Sequence, residues 1–113
     1  MNDQNNVNKE AFSGQVIWVT GASSGIGEGM CKAFAACDAK VVLCARNKDQ
    51  LKRVQEECVA AGADAANLLL LPLDVVDFAA MHGAVEKVLA RFSRIDMLIN
   101  NAGQGLFAVW VAT

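Results

Sequence analysis

The sequence predicts an α/β fold, a partial doubly wound sheet of four parallel strands in spatial order 3-2-1-4 with three helices. Three observations carry this reading. Short apolar runs alternate with longer stretches of helical periodicity along most of the chain. The first run, Val16-Ile17-Trp18-Val19, is apolar on both faces, as a parallel strand covered on both sides is. Strand–helix repeats joined by right-handed crossovers then fall into one parallel sheet.

Residues 1–13 are polar and rich in asparagine, and read as a flexible lead-in to a single domain over 14–113. The first strand covers 15–20. A helix follows over 24–37, with Ile26, Met30, Ala33, Phe34 and Cys37 on one face and Ser24 as its N-cap. Asp38 stands just beyond, where a left-handed residue would end the helix. Lys40–Ala45 is the second strand. A second helix spans 47–61, lined by Leu51, Val54, Cys58 and Ala61 and ended by Gly62. Leu68–Leu73 is the third strand: a leucine run suits a helix by propensity, but this one is short and Pro72 argues against a helix interior. A third helix covers 77–92, with Phe78, Met81, Val85, Val88, Leu89 and Phe92 as its apolar stripe. Residues 95–99 form the fourth strand. The tail from Leu106 to Ala112 is apolar, and reads as a divergent end or the start of a helix. Either would leave the fourth strand without an outer neighbour, and an unpaired apolar edge favours self-association.

Bulk properties exclude several classes. A chain of 113 residues holds one domain at most. Apolar residues at 54% against 19% charged describe a globular chain and not a disordered one. The net charge is −2 and no basic block stands out, so nucleic acid is not an expected partner. Cys31, Cys37, Cys44 and Cys58 form no C-x-x-C pair, and His82 is the single histidine. No metal site is expected; buried free thiols in a reducing compartment are. His82 reads as a helix-surface residue, Lys52-Arg53 and Glu56-Glu57 as a solvated helix face, and Asp96 as a strand-end aspartate. The first residues lack the basic start and apolar stretch of a signal peptide, and no run of 18 apolar residues exists. The expectation is a cytoplasmic protein that does not enter the membrane.

The richest segment is Thr20-Gly21-Ala22-Ser23-Ser24-Gly25-Ile26-Gly27. It joins the first strand to the first helix. A strand, a tight glycine turn and a helix N-terminus together make a seat for a dinucleotide pyrophosphate. Gly21 allows the sharp turn, Gly25 lets the backbone approach the phosphates, and Gly27 lets the helix pack close to the sheet. Ser23 and Ser24 carry hydroxyls that can donate to phosphate oxygens. The bland alternative is an ordinary strand-to-helix turn. Arg46 ends the second strand, 19 residues after Gly27. An acidic residue there would accept the ribose hydroxyls of NAD; an arginine favours the 2′-phosphate of NADP. Its alternative is a solvated surface arginine.

The spacing Gly-x3-Gly-x-Gly resembles that of the short-chain dehydrogenase/reductase family, whose fold is of the Rossmann type. Asn100-Asn101-Ala102-Gly103, after the fourth strand, matches the family's N-N-A-G signature letter for letter. With Arg46 and Asp74 the resemblance covers residues 15–103. It implies that Asp74 accepts from the adenine amino group and that the Val75 amide meets the ring. A helix-capping role for Asp74 is an equal reading. The asparagines would tie neighbouring strands, and the small residues after them would lie close to the cofactor ribose. The implied dinucleotide-binding set is Gly21, Ser23, Ser24, Gly25, Ile26, Gly27, Arg46, Asp74, Val75, Asn101, Ala102 and Gly103, with NADP favoured over NAD.

The family transfers hydride between a nicotinamide and a carbonyl or alcohol. A tyrosine serves as acid/base, helped by a lysine four residues later and a serine. An unperturbed tyrosine has a pKa near 10, so a neighbouring cation must bring it toward working pH. This chain contains no tyrosine. No catalytic residue is therefore assigned. The readings left open are the N-terminal, cofactor-binding part of an NADP-dependent oxidoreductase, inactive alone; a non-catalytic dinucleotide-binding or interaction module; and a truncation product without function.

Overall fold

The computed structural model describes residues 9–101 and 107–111. Among the described residues, five strands build one sheet: β1 (Val16–Thr20), β2 (Lys40–Ala45), β3 (Leu68–Pro72), β4 (Met97–Asn100) and β5 (Phe107–Trp110). Helices α1 (Gly25–Ala36), α2 (Lys48–Ala60) and α3 (Phe78–Phe92) connect the first four. The order in space is β3-β2-β1-β4-β5. Strands β1 to β4 are parallel, so the expected order 3-2-1-4 holds for them. Pro72 ends β3 at the sheet edge, where a missing N–H costs no ladder bond.

β1 lies at the centre and is buried along its whole length. Its alternating side chains divide the core in two. Ile17 and Val19 join Val41, Leu43, Leu51, Val54 and Ile99 beneath α1 and α2. Val16 and Trp18 join Val42, Cys44, Leu71, Val88 and Phe92 beneath α3. Continuous apolar strands are what helices on both faces require.

Three expectations need correction. The fourth strand does have an outer neighbour: β5 turns back and pairs antiparallel with β4, Asn100 opposite Phe107 and Met97 opposite Trp110. The apolar tail thus forms a strand and no helix within the described residues, because Phe-Ala-Val-Trp suits a pleated surface and finds an open row of backbone groups on β4. The face of α1 is also turned by about one residue. Gly27, Cys31 and Ala35 are buried, whereas Ile26 is 61% exposed. Close packing at Gly27 fixes that rotation. On α3 the buried residues are Ala84, Val88 and Phe92; Phe78 is 85% exposed at the helix start. The small Ala84 lets α3 sit close to the sheet, which swings Phe78 off it.

Residues 9–12 are helical. Phe12 packs against the core with its ring edge-on to Phe34, the centroids 5.0 Å apart. Asp38 takes a left-handed φ of 60° after α1, and Gly62 a φ of 112° after α2.

Asp96 does more than end a strand. It is buried, and its Oδ2 accepts from the Val16 N–H at 2.8 Å while Oδ1 accepts from Arg94 Nε at 2.9 Å. Its own backbone N–H donates to Val16 O, and its carbonyl accepts from Val111. One residue therefore closes the sheet edge opposite the glycine turn, linking β1, β4 and β5.

Candidate functional site

The glycine turn lies at the carboxyl ends of β1, β2 and β4, the edge of a parallel sheet where ligands bind. Gly21 (φ 64°) and Gly25 (φ 57°) both adopt left-handed backbone. At Gly25 the space where a Cβ would sit is open, so the glycine serves backbone conformation and leaves room outside the turn. At Gly27 a Cβ would lie 2.0 Å from the Gly21 carbonyl oxygen and 2.7 Å from Asn101 Nδ2. No side chain fits there. The start of α1 is thereby held against the end of β1.

Ser24 is the N-cap residue of α1, extended at φ −163° and ψ 164°, but its side chain makes no capping bond. It is exposed, as are Gly25 and Ile26. The hydroxyl and the first amides of α1 therefore face solvent at the positive end of the helix.

Beside the turn is an open cleft of about 540 Å³ lined by Gly21, Ser23, Ala45, Arg46, Asn47, Leu73, Asp74, Val75 and Val76. Its floor is the end of β2. One wall is the β3–α3 loop, and the other is the glycine turn. Arg46 is exposed on it. Asp74 Oδ1 accepts from the Val76 N–H at 3.1 Å, a local turn that shapes the wall. The cap of α3 is Asp77, whose Oδ1 accepts from Ala80 N. Asp74 is thus no helix cap, and its second carboxylate oxygen has no bond of its own among those seen.

Asn101 closes the turn from the far side. Its N–H donates to Thr20 Oγ1 at 2.9 Å, and its Nδ2 lies 3.5 Å from the Gly21 carbonyl. Thr20 Oγ1 also lies 3.4 Å from both Ile99 O and Asn100 Oδ1. The asparagine pair and Thr20 therefore tie β1 to β4 below the glycines. Ala102 and Gly103 lie outside the described residues.

Of the sequence-predicted residues, the structure gathers Gly21, Ser23, Arg46, Asp74 and Val75 around the cleft. Ser24, Gly25 and Ile26 crown the adjoining helix start. Gly27 and Asn101 sit behind as supports.

Known proteins share this fold and much of this sequence. The sequence profile of the short-chain dehydrogenases fits residues 15–110. This chain belongs to the short-chain dehydrogenase family. Among relatives, it is 41% identical over 90 residues to mouse dehydrogenase/reductase SDR family member 7 and 43% identical over 89 residues to the human protein. Those matches cover 79% and 78% of this chain but 27% and 26% of the relatives, so the chain spans about a quarter of their length. Among solved structures, glucose dehydrogenase of Caenorhabditis elegans superposes with a TM-score of 0.78 at 33% identity, covering 83% of this chain and 40% of that one. A metagenomic short-chain oxidoreductase in complex with NADP gives 0.76 at 40% identity, covering 84% and 42%.

Two parts of this short-chain dehydrogenase site escape a linear reading. Asn47 lines the cleft and also caps α2, accepting from Gln50 N at 3.1 Å. Its place directly after Arg46 is the signal that could have found it. Arg53 was expected on a solvated face. It instead reaches back to α1, donating to Glu28 Oε1 at 2.8 Å, to Glu57 Oε2 at 2.7 Å and to the Ser23 carbonyl at 3.1 Å. Lys32 bridges the same two carboxylates at 2.7 Å each. The Arg53 guanidinium, then the Lys32 ammonium, holds the Glu28 carboxyl at about 2, well below its ordinary range.

Burial pushes Cys31, Cys44 and Cys58 up, so they stay protonated and unreactive at neutral pH. No cluster of metal-binding side chains exists among the described residues. His82 is an exposed helix residue 3.3 Å from Glu86.

Gly27 and Gly29 give opposite outcomes on the same helix. Gly27→Ala must displace the Gly21 carbonyl, and overpacking of this kind costs about 1–3 kcal/mol or more. Gly29→Ala meets nothing within 4 Å and gains about 0.5–1 kcal/mol of helix propensity. Urea unfolding of both variants checks this, with the midpoint falling for the first and rising for the second.

Proposed function

We propose that these residues form the dinucleotide seat of an NADP-dependent short-chain oxidoreductase that acts on carbonyls or alcohols. The observation that carries the cofactor preference is Arg46, exposed at the end of β2 on the wall of the cleft beside Ser23 and Asn47. A guanidinium there can pair two oxygens of a 2′-phosphate at once, which NAD lacks. The cleft suits the rest of the cofactor. The open space at Gly25 and the unspent hydroxyl of Ser24 fit a pyrophosphate over the α1 N-terminus. The apolar Leu73, Val75 and Val76 fit the adenine ring, with the Asp74 carboxylate in reach of its amino group.

When bound, the cofactor supplies a hydride to or from its nicotinamide. The residues of this chain bind and orient the other end. Asn101, behind Gly21, keeps the turn from collapsing onto the sheet and so keeps the phosphate amides facing outward. The sequence holds no tyrosine, so the family's acid/base residue is not among these 113 residues. On this reading the chain binds the dinucleotide and does not itself move a proton or hydride. Two of the three readings of the sequence, oxidoreductase part and non-catalytic binding module, share that property.

The outer edge of β5 is the surface for self-association. Val109 and Trp110 of β5, and Val111 just beyond it, are 46%, 62% and 39% exposed, and β5 is the last strand of the described sheet.

Titration of the purified chain followed by fluorescence should show NADPH binding tighter than NADH by about tenfold or more, the worth of a charged hydrogen bond of about 1.5–3 kcal/mol. Arg46→Ala should close most of that gap and leave NADH affinity in place; equal affinities in the unmutated chain would defeat the assignment. Mixed with NADPH and a panel of carbonyl compounds, the chain should consume no cofactor above the buffer rate. In sedimentation at micromolar concentration it should run as a dimer or larger, and Trp110→Lys should return it to monomer. A monodisperse unmutated monomer overturns the β5 surface.

A further inference from the structure

Arg53 makes five hydrogen bonds from the middle of α2. Nε donates to Gln50 Oε1, Nη1 to Glu28 Oε2 and Glu57 Oε2, and Nη2 to Glu28 Oε1 and Ser23 O. The fork is saturated, and four of those bonds do no more than aim it. The fifth holds a backbone carbonyl inside the glycine turn. α2 is a rigid mount, since Leu51 and Val54 on either side of Arg53 are fully buried. Glu28 fixes the guanidinium from the other side and itself stands in the first turn of α1.

Holding the Ser23 oxygen has a directional consequence. Every peptide bond among the described residues is trans. In a trans peptide the carbonyl and the following N–H point in opposite directions. With Ser23 O turned toward α2, the N–H of Ser24 points away from α2, on the exposed side where the α1 amides open. The Ser23–Ser24 peptide turns only about ψ of Ser23 and φ of Ser24, and the Arg53 bond to Ser23 O fixes which way it faces.

We propose that Arg53 is a positioning residue for dinucleotide binding: through the Ser23 carbonyl it sets the Ser23–Ser24 peptide so that the Ser24 amide meets the cofactor phosphates. The proposal rests on the dinucleotide reading given above and differs from it in its signature. Arg46 acts on the 2′-phosphate and changes the preference between cofactors. Arg53 acts on the turn that meets the pyrophosphate, which NADPH and NADH share, and so changes both affinities together. Lysine cannot substitute, because one ammonium cannot reach the carbonyl and both carboxylates in the fork geometry.

The test uses the full chain and two readouts. Backbone 15N relaxation of the cofactor-free protein reports the turn directly. Ser24 and Gly25 should show order parameters of about 0.85 in the unmutated chain and below about 0.6 in Arg53→Met, with the amides of β2 unchanged. Titration with NADPH and with NADH should weaken by roughly tenfold for each, leaving their ratio within about twofold, as expected for one lost charge-assisted contact at a shared group. Arg53→Lys should behave as Arg53→Met does. Unchanged order at Ser24 and Gly25 in Arg53→Met overturns the proposal, and so does a loss confined to NADPH. If circular dichroism shows Arg53→Met unfolded, Arg53→Lys decides: loosening at the turn alone supports the role, and loosening throughout the sheet or nowhere overturns it. Failure of the unmutated chain to bind either dinucleotide would sink the cofactor reading. The relaxation arm would still decide whether Arg53 holds the turn.

Discussion

The contact on which the rest of this structure depends is between backbones. Gly27 of α1 sits so close to the Gly21 carbonyl that no side-chain atom can enter, and Asn101 reaches into the same spot from the end of β4. The end of β1, the start of α1 and, 80 residues on, the end of β4 meet there. The approach fixes how α1 is rotated, which puts Gly27, Cys31 and Ala35 against the sheet and leaves Ile26 in solvent. It also fixes where the helix begins, and hence where its unsatisfied amides point. Thr20 serves the same junction through its hydroxyl, which accepts from the Asn101 N–H at 2.9 Å.

Charge around this junction is balanced locally at the start of α1. Glu28 lies in the first turn of α1, where a carboxylate would itself satisfy the helix dipole and repel phosphate. Arg53 and Lys32 take up that carboxylate together with Glu57. Two cations and two anions cancel, and the field at the helix start is again that of the peptide dipoles. Arg46, one strand away, is exposed and lines the cleft.

The sequence made the sheet legible because its strands are apolar on both faces and its helices are punctuated by Gly62 and Asp38. Arg46 and Asp74 were placed by counting from strand ends, and the structure puts both on one cleft. Side-chain facing was harder to read. Ile26 and Phe78 are apolar and fall at helical spacing, yet both are exposed, because Gly27 and Ala84 give the closer packing and small residues carry little hydrophobic signal. Arg53 could not be found by periodicity. Its partners are its own helix neighbours Gln50 and Glu57 and, 25 and 30 residues away, Glu28 and Ser23. The pairing of β5 depends on a reversal of direction that Phe-Ala-Val-Trp does not encode locally.

That reversal changes the route of the chain. β1 to β4 all climb toward the cleft, whereas β5 descends from Phe107, beside Asn100, to Trp110, beside Met97. Val111 then donates to Asp96 O at the foot of the sheet. Four residues at about 3.3 Å each separate that point from the rim, roughly 13 Å. A parallel strand at this position would end at the rim, beside the glycine turn. β5 instead ends at Val111, at the opposite end of the sheet, where Asp96 ties it to β1 and β4.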